Sequence, residues 1–114
     1  MEIPKNLDHR AKLEFIASSF EPQVAYCQSD AEQFLALAKS NKLFKKGWVV
    51  EIPGPLYLYH NYLKRAMEAN PHYVAYLDKK WVVDVSQRKW SRVFDDFKEY
   101  YKFISIVAKL SLDF

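Results

Sequence analysis

His72-Tyr73-Val74-Ala75-Tyr76-Leu77-Asp78-Lys79-Lys80-Trp81-Val82-Val83-Asp84-Val85-Ser86 decides the fold class. The segments His72–Leu77 and Trp81–Ser86 are built from aromatic and β-branched residues, which suit a pleated, half-buried surface. Asp78-Lys79-Lys80 is a polar break of hairpin-loop length. The pattern predicts two antiparallel strands. His72 and Asp84 are an even number of residues apart, so a three-residue loop puts them on one face, directly or diagonally opposed. A carboxylate there can bond one imidazole nitrogen and fix the tautomer, so that the other nitrogen faces a reacting group.

Outward from the hairpin, Asn70-Pro71 closes a segment in which Tyr59, Tyr62, Leu63, Ala66 and Met67 fall at i, i+3, i+4, i+7 and i+8. That spacing predicts a short amphipathic helix. Before it, Trp48-Val49-Val50-Glu51-Ile52 alternates as a strand that should join the hairpin's sheet, and Pro53-Gly54-Pro55 stops it. Two helices precede that strand. The first spans Leu7 to Ser19, with Leu7, Ala11, Phe15 and Ser18 at helical spacing, and Pro22 lies beyond it. The second opens near Cys27 and closes near Ser40, with Ala31, Phe34, Leu35 and Ala38 as its inward stripe. Ser29 and Glu32 have capping-box spacing. After the hairpin, a last helix is predicted from near Ser91, with Val93, Phe97, Tyr100, Tyr101, Ile104 and Val107 as its apolar face. The expected architecture is α+β, with a small antiparallel sheet packed against helices.

At 114 residues, half of them hydrophobic, the chain is read as one domain over residues 1–114 with a genuine core. One cysteine excludes an internal disulfide. No apolar run is long enough for a membrane helix, and Met1-Glu2-Ile3-Pro4 does not open a secretion signal. A cytoplasmic protein is expected. The net charge of +3 is too small to signal nucleic acid. Lys42, Lys45 and Lys46 read as a solvated helix end. Three dispersed histidines and one cysteine give no metal-ligand spacing, and two glycines cannot build a phosphate loop, so neither metal nor cofactor is expected.

Cys27 at a helix start is the natural partner for His72. Unpaired N–H groups and the positive end of the helix dipole favour a thiolate, which is the nucleophilic form. The Cys27 N–H could also donate to a developing oxyanion, with the Gln23 side-chain amide as a second donor. Each residue has a plainer reading: Cys27 as a small core residue, His72 as a hydrogen-bonded strand residue, and Asp84 as a strand-end carboxylate in water. His60 competes for the base role but falls on the predicted helix without a matching carboxylate. His9 is expected in solvent.

These residues resemble the papain-fold toxin domains at the C-termini of bacterial polymorphic toxins. The resemblance rests on the order of Tyr26-Cys27-Gln28-Ser29-Asp30-Ala31 opening a helix, the strand Trp48 to Ile52, and Asn70-Pro71-His72-Tyr73-Val74 entering a hairpin. Trp81-Val82-Val83-Asp84 and Trp90-Ser91-Arg92-Val93-Phe94 complete it. It spans about residues 12 to 98. Pro71 stands where many relatives have Gly, and Val85 where they often have Asn. The resemblance implies a papain-like fold and cysteine-dependent attack on an amide or acyl carbon. Cys27 would be nucleophile, His72 base then acid, and Asp84 orienter. It implies a protein substrate, room for a cognate immunity protein, and delivery into a target cell's cytoplasm.

Two other classes stand beside this thiol hydrolase or transferase. One is a catalytically silent papain-like module that binds a partner protein. The other is a nucleic-acid binder, which needs Lys42, Lys45, Lys46, Lys79, Lys80, Arg88, Lys89 and Arg92 to converge on one face.

Overall fold

The computed structural model describes residues 2–20, 27–52, 56–60, 65–69, 72–85 and 93–112, without the side chains of 27, 56–60, 65–69 and 105–112. The hairpin is its centre. Strand β4 (His72–Leu77) pairs antiparallel with β5 (Trp81–Val83). Strand β1 (Gly47–Ile52) lies on the other side of β4, and β6 (Val93–Phe94) on the other side of β5. The order β1-β4-β5-β6 is antiparallel throughout. Asp78 and Lys79 both take positive φ, 54° each, and the Lys80 N–H donates to the Leu77 carbonyl at 3.0 Å. Positive φ at both central positions matches the turn twist to the strand twist.

The alternation of β4 sorts the core into two layers. Ala75 and Leu77 face helix α1 (His9–Ser19) and helix α2 (Cys27–Ser40), packing with Leu13, Ile16, Ala17, Phe34 and Ala38. Val74 faces the opposite side and packs with Ile52, Val82, Phe94, Tyr100 and Ile104. The last two residues belong to helix α3 (Phe97–Leu112). A four-stranded sheet is therefore covered by helices on both faces, which confirms the α+β class.

Local chemistry sets the helix ends. The Asp8 side chain caps α1 by accepting from the Ala11 N–H at 2.8 Å. The buried stripe of α1 is Leu13, Ile16 and Ala17, which keeps Ile16, expected beside the stripe with Phe20, but turns from Leu7, Ala11, Phe15 and Ser18. Arg10 ties this helix to the sheet's far edge, donating to the Val93 carbonyl at 2.8 Å and to Asp95 at 2.6 Å. α2 buries Ala31, Phe34 and Ala38 as expected. It closes with Lys42 at φ 58°, its N–H donating to the Lys39 carbonyl, while the Leu43 N–H reaches Ala38 at 3.1 Å. This is the Schellman arrangement with lysine in glycine's usual place, sealed by buried Leu43. Because α2 already begins at Cys27, Ser29 lies inside it rather than capping it, and its hydroxyl accepts from Gln33 at 3.2 Å.

Three expectations are overturned. Where a helix is predicted across Tyr59–Met67, the described residues form a ribbon, β2 (Leu56–His60) paired antiparallel with β3 (Arg65–Ala69), and Tyr62 and Leu63 lie outside the described residues. Leu56-Tyr57-Leu58-Tyr59 has the composition of a strand, and α3 packs against the ribbon. The last helix starts at Phe97, not near Ser91, and Val93 lies in β6. Asp96 explains the boundary: its Oδ1 accepts from the Glu99 N–H at 2.9 Å, and its carbonyl from the Tyr100 N–H at 3.2 Å. β5 also stops at Val83, short of the expected Ser86, which lies outside the described residues.

Candidate active site

His72 is the first residue of β4 and Asp84 follows the last residue of β5. Ala75 pairs with Val83, so Asp84 falls opposite Val74, diagonal to His72 on the α3 side of the sheet. The imidazole Nε2 lies 2.9 Å from Asp84 Oδ2. The Tyr100 hydroxyl donates to the same Oδ2 at 2.7 Å. Relative exposures of His72, Asp84 and Tyr100 are 1%, 0% and 0%, so the strand-end-in-water reading of Asp84 is wrong. With Asp84 as a carboxylate, Nε2–H is the donor in this bond.

The surroundings strengthen these bonds. Ile52 pairs with His72 across β1 and β4, and Val74, Val82, Phe94 and Ile104 enclose the group. The Tyr100 ring meets Phe94 edge-on, with centroids 5.2 Å apart. In such apolar company a charge-assisted hydrogen bond is strong and a buried carboxylate depends on its donors.

Cys27 opens α2 at the predicted position. Its backbone N–H is therefore among the donors that a helix's first turn does not use internally. Gln23, the second oxyanion candidate, lies outside the described residues. His60 ends strand β2 instead of lying on a helix. His9 is exposed and 5.7 Å from the Trp81 ring. Among the described residues, no three His, Cys, Asp or Glu side chains are grouped to hold a metal, and no helix is long and apolar enough to cross a membrane.

Two buried polar residues lie outside the site expected from the sequence. Tyr100 was read only as part of an apolar helix stripe. Asp30 enters the sequence analysis only within the run that opens α2, yet it is fully buried in the first turn of that helix, where the dipole favours a carboxylate. Comparison with family models, curated proteins and solved structures found no match to this chain.

Proposed function

We propose that the chain is a papain-like cysteine-dependent hydrolase or acyl or amide transferase, peptidase- or deamidase-like in chemistry, acting on protein as a bacterial toxin effector. The carrying observation is the buried His72–Asp84 pair at 2.9 Å. Imidazole orientation by a carboxylate is what a thiol nucleophile requires of its base. His72 would take the Cys27 proton as sulfur attacks the carbonyl carbon, then deliver it to the departing nitrogen. Water or an acceptor amine would release the thioester.

The course of α2 supports this reading. Leu35 lies against Gly47, which pairs with Leu77, and α2 packs along β4. Helix from Leu35 back to Cys27 rises about 12 Å. The strand from Leu77 back to His72 runs about 17 Å. On this reading Cys27 is carried toward the His72 end of the sheet. His72 faces α3 while α2 covers the other face, so the start of α2 would reach the pair around the sheet's end.

A specific observation favours a second reading, the catalytically silent papain-like module that binds a partner protein. The His72 and Asp84 side chains are only 2% and 0% exposed, as in a purely architectural polar network.

Iodoacetamide alkylation separates the two readings. The enzyme reading expects Cys27 in the folded protein to react faster than a model thiol at neutral pH. His72→Gln, which keeps a donor for Asp84 but cannot carry the proton, should slow it about a hundredfold. Cys27→Ser should abolish toxicity on expression. Alkylation no faster than the model thiol, unchanged by His72→Gln, would leave the silent module as the function.

A further inference from the structure

The end of the sheet remote from His72 has a different character. The C-terminal turn of α2, the loop before β1 and the β4–β5 turn converge there. Asp78 clasps the loop to the turn: its Oδ1 accepts from the Lys45 and Lys46 amides at 3.0 Å each, and its own N–H donates to the Lys46 carbonyl at 2.8 Å. The clasp gathers Lys39, Lys42, Lys45, Lys46, Lys79 and Lys80, all exposed. Among the described residues, none of these lysines forms an ion pair with a carboxylate. The +3 net charge of the chain thus conceals a strongly basic end.

An open groove of about 570 Å³ runs through this end. Its floor includes Leu35 and Phe44, both half-buried, and Lys39, Lys45, Lys46 and Trp48 border it. Gly47 keeps the floor in place, since a Cβ there would stand 2.6 Å from the Phe44 ring and 2.9 Å from Leu35 Cδ2. Beside the groove runs β1, an outer strand of the four-stranded order. Outer strands are commonly protected by lysine, proline or a bulge. Gly47-Trp48-Val49-Val50-Glu51-Ile52 has no lysine, proline or bulge, carries its one charge at Glu51 near the end remote from the lysines, and leaves Trp48 38% exposed.

We infer that this end of the molecule binds an acidic peptide segment in extended conformation, which adds to β1 as a further strand. The partner's carboxylates pair with the lysines, and an apolar side chain enters the groove over Leu35 and Phe44. Charge complementarity selects the acidic chain, and the strand edge selects a peptide backbone, whose N–H and C=O groups match it. Single-stranded nucleic acid fits less well. It needs successive open aromatic faces, whereas Trp48 leans toward Tyr76 at 6.1 Å and Trp81 carries the Lys80 ammonium at 4.4 Å. This surface is independent of the thiol chemistry proposed above.

The test uses the full chain and a fluorescent peptide of alternating glutamate and valine, followed by anisotropy and by amide shifts. Saturable binding is expected, with the largest shifts in Gly47–Ile52. Lys45→Glu with Lys46→Glu should weaken it by about tenfold or more, as charge reversal makes attraction repulsion. Lys39→Glu, on another element, should weaken it too and guards against a loop-folding artefact. N-methylation of alternate peptide amides should abolish the β1 shifts. Tighter binding of oligothymidylate or of phosphatidylserine vesicles than of the peptide would overturn the inference. So would peptide binding that ignores both charge reversals and N-methylation.

Discussion

At the scale of single residues, Tyr100 shows what an apolar stripe can hide. It sits at helical spacing with Phe97 and Ile104, and nothing in that spacing distinguishes a tyrosine packed for its ring from one placed for its hydroxyl. The hydroxyl is what the fold uses, 2.7 Å from Asp84. Tyr100→Phe is expected to lower unfolding free energy by about 1.5–3 kcal/mol, the range for hydrogen bonds to charged groups. Urea denaturation monitored by circular dichroism would measure it, and an unchanged midpoint would show the bond contributes nothing. His72 and Asp84 were legible because strand alternation has a fixed period, so even spacing on a short hairpin assigns a shared face. Lys79 is the opposite case. Its φ of 54° is strained for a side chain with a Cβ, so Lys79→Gly should raise stability by about 1 kcal/mol. A lower melting temperature would contradict that.

At the scale of elements, patterns with a local chemical cause were readable and those settled by tertiary partners were not. Helix α2 was found at both ends, and β4 at both ends, because composition and break residues agree there. The segment Tyr59–Met67 misled because its tyrosines, leucine and methionine fit a helical stripe by coincidence, while pairing between β2 and β3 decided the outcome. The start of α3 does carry a local signal, since Asp96-Phe97-Lys98-Glu99 has the spacing of a capped helix start. Asp96→Ala should therefore cost about 1 kcal/mol. Hydrogen exchange would show the loss as faster exchange at the amides of Glu99 and Tyr100. If those amides kept their protection, the cap would not be what fixes the boundary.

At the scale of the whole molecule, the two core layers lie on opposite faces of one sheet and share no helix. Their contributions to stability should then be nearly independent. Ile16→Val in α1 and Ile104→Val in α3 are each expected to cost about 0.5–1.5 kcal/mol. The double variant should match their sum to within about 0.5 kcal/mol. A larger departure would mean that the sheet transmits strain between layers. This two-layer division was not legible in the sequence. The apolar residues of β4 on both faces announce burial on both, but not which helix covers which.

The three members of the polar group also emerge from the ribosome at different times. His72 and Asp84 are synthesised close together on one hairpin, whereas Tyr100 arrives later, carried by α3. Until that helix docks, the face of the nascent sheet that bears them lacks its cover, and water can reach both side chains. The hairpin alone can bring imidazole and carboxylate side by side, but the dry surroundings of the pair are a late product of translation. Whatever the pair contributes to the mature protein, the unfinished chain cannot fully possess it.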